Sequence, residues 1–489
     1  MTQDLLSARV LKRSLAWNAA GTVLPLAASI LAVPFLIRGL GADRFGLLTI
    51  VWALVGYASL FDLGLGRALT LMVAERLGRL DDTDMNPLLW TALWLLLALG
   101  MLGALVLWLA APVLVAAIRT PQELAAEAVT AFRVLAFGLP MVFVTSGLTG
   151  VLTALQRFDV LTAVRVPLSL VTTLGPVLLL LVSPSLVWIS WLMLCARGLG
   201  MLVFAHRLGL LRAGLMQPSW PQATLARSLV GQGGWMTVSN VVGPLLSYMD
   251  RFFVGAALGT AAVAWYVTPY EVLTKLNFIP SILLGVLFPA LAMAYARDPA
   301  RAASLYKDAA TVLRHALLAV CAGLFLFATE LLSLWINADF AGHAAPVARW
   351  LAVGVWINVL AQTPFTFLQG AGRANLIAKL HLAELIPYLA LLYWWTHAYG
   401  IAGAAAAWTA RVLVDTLVLN WVAGRVHVPL RPLVRVETLS LVVVVSGFGV
   451  CSLLSSVWLR LATLLLVWAY AGWVLWPYGR RLLASGGPR

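Results

Sequence analysis

Fourteen apolar runs, all of them longer than 20 residues, divide this chain from end to end and constrain its fold more than any other feature. A helix needs about 20 apolar residues to cross about 30 Å of hydrocarbon, and it pairs its backbone N–H and C=O groups internally, which lipid cannot do for it. The runs cover 14–37, 46–70, 88–118, 129–154, 160–182, 185–206, 229–255, 262–292, 309–335, 346–369, 376–398, 401–422, 436–456 and 458–478. The chain is 62% hydrophobic and 11% charged, where a soluble domain is nearer half and a quarter. The expected fold class is an all-α polytopic membrane protein with about 14 transmembrane helices.

The basic residues set the orientation. Of 33 Lys and Arg, only Arg38, Arg44, Arg119, Arg133, Arg349 and Arg460 fall in alternate loops on one side, and Arg251, Lys275 and Arg411 fall within spans. The other 24, among them Arg67, Arg165 and Arg197, fall on the side of the N-terminus. Cytoplasmic loops carry this excess, so both termini are expected in the cytoplasm. The net charge of +14 is scattered between apolar runs and builds no basic face, which excludes nucleic acid as a partner. Cys195, Cys321 and Cys451 lie far apart inside apolar runs, so neither a disulfide nor a metal site is expected.

A repeat organises the runs. An offset of 218 residues lays Trp17 on Trp235, Phe35 on Phe253 and Leu40-Gly41 on Leu258-Gly259. An offset of 216 lays Leu152 on Leu368, Arg157 on Arg373 and Val160-Leu161 on Leu376-Ile377, and one of 214 lays Ala196-Arg197 on Ala410-Arg411. Three regions agree on nearly one offset, in the order a duplication requires. The expected organisation is a six-helix bundle over 1–207, a cytoplasmic linker over 208–228 with Pro218 and Pro221, a second bundle over 229–424, and two further helices and a tail over 425–489. Two halves of six spans share orientation and are expected to enclose a central cavity near the midplane.

No phosphate-binding loop of the G-x-x-x-x-G-K-[ST] kind, nucleophile elbow or metal-ligand spacing occurs, so the protein is expected to be a non-enzyme without a cofactor. Gly231-Gln232-Gly233-Gly234 reads as an inner hinge rather than a phosphate cradle. Chemistry is left to the ionisable residues inside spans, which are costly there unless paired or used. Glu271 and Lys275 are four apart on one face of the eighth span, beside Tyr266, Tyr270 and Asn277; Arg411 and Asp415 repeat that spacing on the twelfth. Asp62 and Arg67 flank Gly64 and Gly66, Asp250 and Arg251 end the seventh span, and Glu384 sits in the eleventh near His381 and Lys379. Each is either a structural ion pair or a cavity group. Asn18 and Asn240 could line the same cavity. Trp335, Trp350 and Trp356 surround an outer loop at Asn337–Val347 as anchors or sugar-stacking rings, and Trp90, Trp188, Trp394, Trp395, Trp458 and Trp476 read as interfacial anchors.

The residues G-L-G-x-x-x-F-G-L-L from Gly39 and S-L-F-D-L-G-L-G-R-A-L from Ser59 resemble the opening of the polysaccharide-transport flippases, the O-antigen and exopolysaccharide exporters of the multidrug/oligosaccharidyl-lipid/polysaccharide superfamily. Y-M-D-R-F-F-V-G-A-A-L-G from Tyr248 resembles the Asp-Arg motif common at the seventh span of that family. The resemblance implies a MATE-like pair of bundles and a flippase that moves a polyprenyl-diphosphate-linked oligosaccharide to the outer leaflet by alternating access, for surface or exopolysaccharide assembly. Arg67, Lys275, Arg251 and Arg411 are then the candidates for anion contact. Asp62, Glu271 and Asp415 are the candidates for pairing or for binding a coupling H+ or Na+. The implied partners are the lipid-linked substrate, membrane lipid and a polysaccharide polymerase or export machinery. Two alternatives share the fold: a cation-coupled multidrug exporter of the MATE type, with an acidic, aromatic cavity, and a lipid II flippase. A membrane scaffold is disfavoured by the duplication, and a polymerase by the absence of a large outer loop.

Overall fold

The computed structural model describes residues 8–58, 62, 64–78 and 85–485. Its helices are α1 (Ala8–Ala58), α2 (Leu65–Gly78), α3 (Met85–Ala117), α4 (Gln122–Ala136), α5 (Gly138–Ala154), α6 (Phe158–Leu179), α7 (Leu186–Leu211) and α8 (Ala223–Leu258). They continue as α9 (Thr260–Thr274), α10 (Phe278–Arg297), α11 (Pro299–Leu326), α12 (Ala328–Trp335), α13 (Ala338–Gly370), α14 (Ala374–Val426), α15 (Arg431–Cys451) and α16 (Val457–Ser485). No strand occurs among the described residues, ten stretches of which are long and apolar enough to cross a membrane. The chain is a multi-pass membrane protein. Two of its helices hold a turn: α1 at Gly41 (φ 77°, ψ 167°) and α14 at Gly400 (φ 62°, ψ −147°). A straight α14 would be about 80 Å long, so its two limbs are separate spans.

The duplication is visible in the backbone. Gly41 and Gly259 (φ 87°, ψ 177°) hold the same corner at the offset of 218. At the offset of 216, α5 and α13 end alike. The N–H groups of Gln156 and Arg157 donate to the carbonyls of Thr153 and Leu152, and those of Gly372 and Arg373 to Gln369 and Leu368. The residue in the left-handed conformation is Gln156 (φ 57°) in one copy and Gly372 (φ 71°) in the other.

Two compact units divide the chain, Met1–Ala264 and Trp265–Arg489. In the first, α5 packs against α2, α3 and α7, and small residues set the approach. A Cβ on Gly100 of α3 would lie 2.6 Å from Pro140 Cα, and one on Gly150 of α5 would lie 2.8 Å from the Gly66 carbonyl oxygen. The stretch after α7 is strapped across α3. Asn86 Nδ2 donates to Gln217 O (3.0 Å), the Trp94 indole to Ser219 O (3.2 Å), and Gln222 N–H to Thr91 Oγ1 (3.0 Å).

In the second unit α13 is the buried centre, against α10, α11, α12 and α14. The two additional helices, α15 and α16, pack on α11: Arg314 pairs with Glu437 (2.8 Å), and the Trp468 indole donates to Ala319 O (3.0 Å).

Several local expectations are corrected. The second span is not one helix, because Asp62 and Gly64, which lie within it, are in a bend and a turn ahead of α2. The eighth breaks at a 3-10 turn, Lys275–Asn277, where Pro280 offers no N–H to the Leu276 carbonyl. The outer loop at Asn337–Val347 is the start of α13, capped by the Asn337 side chain accepting from Phe340 N–H (2.7 Å). Gly231 lies inside α8, in continuous helix. Trp356 is fully buried, its indole N–H donating to Arg314 O (3.0 Å), so it presents no face to a sugar.

Candidate functional site

The sequence D-L-G-L-G-R builds one corner of a cleft inside the first unit. Asp62 is 5% exposed and sits in a bend just ahead of α2. Its Oδ1 accepts from Gly64 N–H (3.0 Å); its Oδ2 accepts from Gly66 N–H (3.2 Å) and from the Ser146 hydroxyl (2.8 Å). The carboxylate thus caps the N-terminus of α2, where the helix dipole favours negative charge, and ties it to α5. Glycine is required beside it. Gly64 has φ 70°, and a Cβ on Gly66 would lie 2.7 Å from Asp62 Oδ2. Asp62 and Arg67 make no ion pair with each other among the described residues. The aspartate is spent on the backbone, and the arginine one residue beyond Gly66 is turned into the cleft.

The cleft holds about 780 Å³ and is lined by Asp62 and by residues of α2, α5, α6 and α7. Arg67, Arg165 and Arg197 all reach it, with hydroxyls from Thr70, Thr149, Thr153 and Ser169. None of the three arginines has a carboxylate partner among the described residues, and the buried Nε of Arg197 has no hydrogen-bond partner there. Three guanidiniums around one space repel one another, and planar N–H forks suit them to a multiply charged oxyanion. On the far side of Met201, which lines both, lies an apolar cavity of about 530 Å³ walled by Leu97, Met101, Leu105, Trp108, Phe137 and Val144.

Arg165 and Arg197 were not among the sequence candidates, because both counted as cytoplasmic charge. The signal that could have found Arg197 was the match of Ala196-Arg197 to Ala410-Arg411, since Arg411 was already placed within a span.

The other candidates are placed elsewhere. Glu271 and Lys275 do pair along their helix (3.6 Å) but are about half exposed, at the break after α9, not deep in a straight span. Tyr270 is buried, stacked on Tyr266 and edge-on to Trp408. Asp250 and Arg251 are buried within α8, where Arg251 N–H donates to Asp250 Oδ1 (2.8 Å) and its guanidinium lies 5.2 Å from the Tyr248 ring centre. The expected pairing of Arg411 with Asp415 is replaced by pairs across the α14 hairpin: Arg411 with Glu384 (3.7 Å) and Asp415 with His381 (3.6 Å). The side chains of Asn18 and Asn240 lie outside the described residues.

Comparison with known proteins agrees with this architecture. Residues 35–343 match a family model described as polysaccharide biosynthesis protein. A Shigella flexneri protein named "Putative O-antigen transporter" is 30% identical over 418 residues, which is 85% of this chain and 98% of that one. Among solved structures, a multidrug resistance MATE family transporter of the MOP superfamily in an inward-facing conformation superposes with a TM-score of 0.72 at 19% identity. The match covers 83% of this chain and 95% of that chain. An outward-facing structure of such a transporter gives 0.61 at 19% identity, covering 86% and 96%.

Proposed function

Since the chain belongs to the polysaccharide biosynthesis protein family, we propose that it is a polysaccharide flippase of the MOP superfamily that moves a polyprenyl-diphosphate-linked oligosaccharide from the inner to the outer leaflet of a bacterial cytoplasmic membrane, both termini being cytoplasmic. The carrying observation is the cleft with three arginines and no paired carboxylate. Arg67, Arg165 and Arg197 hold the diphosphate through charge-assisted hydrogen bonds. The first sugars lie against the threonine and serine hydroxyls, and the tail leaves past Met201 through the apolar cavity. A volume of about 780 Å³ suits a diphosphate with its first sugars and not a whole glycan. The same three cations disfavour a cationic drug as cargo.

Outward movement of the anion gains about 2.3 kcal/mol per charge per 100 mV of inside-negative potential, so the potential alone drives the cycle in the right direction. Coupling to H+ or Na+ would add to it. A polymerase or export machinery receives the product. The test uses a strain lacking its own exopolysaccharide flippase, comparing surface glycan with lipid-linked intermediate retained inside. The parent chain should restore surface glycan. Arg197→Ala and Arg165→Ala, at equal membrane abundance, should leave intermediate behind. Full rescue by a variant lacking both arginines would refute the role of the cleft.

A further inference from the structure

The second unit carries, at duplicated positions, a differently charged version of the same wall. The offset of 216, in register through the shared turn at Arg157 and Arg373, lays Arg165 on His381 and Leu168 on Glu384. The offset of 214 lays Arg197 on Arg411 and Met201 on Asp415. The helices agree with it: α7 starts at Leu186, and the second limb of α14 resumes after Gly400. In the first unit all four of these side chains line the cleft, with Leu168 packed against Gly200, one turn beyond Arg197. In the second unit the four meet one another: Glu384 Oε2 lies 3.7 Å from Arg411 Nη1, and Asp415 Oδ1 lies 3.6 Å from His381 Nε2. Glu384 and Asp415 are 7% and 6% exposed.

We infer that the α14 hairpin is a second oxyanion site, masked by the protein's own carboxylates. Glu384 and Asp415 stand where an anion would stand if this wall were built like the first, and Leu168 and Met201 are the residues that leave the first cleft open to a ligand. The inference rests on reading the arginine cleft as an anion site.

The geometry supports a masking role over a tight structural pair. At 3.7 and 3.6 Å both pairs are longer than a charge-assisted hydrogen bond, and neither Glu384 oxygen has a hydrogen-bond partner among the described residues. The charges acting on Glu384 are those of Asp415, Arg411 and His381, all on the two limbs of this hairpin; α13 packs against it with the Phe365 ring stacked on His381. Two carboxylates against one arginine and one histidine leave the cluster no spare positive charge for a ligand. Neutralising the carboxylates in place would free Arg411.

The experiment measures equilibrium binding of radiolabelled inorganic pyrophosphate to the purified full chain in detergent. The parent should bind one equivalent that Arg197→Ala abolishes. The Glu384→Gln/Asp415→Asn double variant should bind one further equivalent, retained when Arg197→Ala is added and lost when Arg411→Ala is added. The reciprocal variant, Leu168→Glu, should weaken the parent's equivalent about tenfold or more by placing a carboxylate beside Arg197. Absence of an Arg411-dependent equivalent in a double variant that elutes as the parent does would overturn the masked site. Should that variant fail to fold, parent-like binding by Leu168→Glu would overturn it instead. A parent that binds nothing, with an Arg411-dependent equivalent in the double variant, would sink the cleft reading and leave the masked site standing.

Discussion

Asp62 separates two roles that a buried acid in a transporter can have, and its hydrogen bonds say which to expect. Asp62→Asn keeps the side-chain shape and one acceptor oxygen, which can still serve Gly64 N–H. The amide nitrogen then faces Gly66 N–H, while Ser146 can turn its hydroxyl fully to the Phe143 carbonyl, 2.9 Å away. The net change is one orphaned backbone N–H and the lost charge assistance, about 1–3 kcal/mol. Ser146→Ala removes one bond to the carboxylate and should cost about 1.5–3 kcal/mol, and the double variant should cost less than the sum, because both act on the same group. Melting of the detergent-solubilised chain followed by circular dichroism reads all three, with Asp62→Asn expected a few degrees below the parent. Transport should fall in proportion to the disturbance of Arg67 and should respond to an imposed pH gradient as the parent's does. If Asp62→Asn melted like the parent yet differed from it in that response, the carboxylate would be an ion-binding group and the capping argument would be wrong.

Gly150→Val should wedge α5 from α2, since even a Cβ would lie 2.8 Å from the Gly66 carbonyl oxygen; loss of pyrophosphate binding with the chain still folded is the expected result in equilibrium dialysis. Glu437→Gln removes the carboxylate charge beside the partly buried Arg314 guanidinium, whose bond to the Ser440 hydroxyl remains, and should destabilise the second unit by about 3 kcal/mol, read as faster proteolysis between α14 and α15. Glu330→Gln, by contrast, breaks a pair to Arg460 whose glutamate is 44% exposed, and should cost within about 1 kcal/mol in the same assay. Trp356→Phe removes the indole's hydrogen bond to the Arg314 carbonyl, which keeps its own bond within α11, and leaves part of a fully buried ring's space empty, so a cost of about 1–3 kcal/mol in thermal melting is expected, with glycan transport retained.

What the sequence disclosed followed from periodic quantities. Runs of about 20 apolar residues located the spans, and the offsets of 218 and 216 found corners, at Gly41 with Gly259 and at Gln156 with Gly372, whose backbones do agree. What it hid depended on direction. A hydropathy window cannot tell an arginine beyond a helix end from one a few turns inside it that points into a cleft, and so Arg165 and Arg197 were counted with the loops. Spacing along one helix suggested Arg411 with Asp415, but the nearer carboxylate to Arg411 belongs to the other limb of the hairpin. Trp356 read as peripheral because it lies a few turns from a predicted end, and only packing shows that helix to be the centre of its unit. The D-L-G-L-G motif was found as a motif, but its work is local geometry: a cap, a left-handed glycine and a close approach to α5.

The paired ends of α5 and α13 carry a practical consequence for engineering. One copy solves its left-handed cap with Gly372, while the other forces Gln156 to φ 57°, at a cost of about 1–2 kcal/mol. A chain that contains two solutions to one backbone problem is its own consensus library, with no relative needed to consult. Gln156→Gly, copied from the second half, should raise stability by about 0.5–1 kcal/mol after the added freedom of the unfolded glycine is subtracted. Wherever the two copies hold the same corner with unequal residues, each is a ready-made donor to the other.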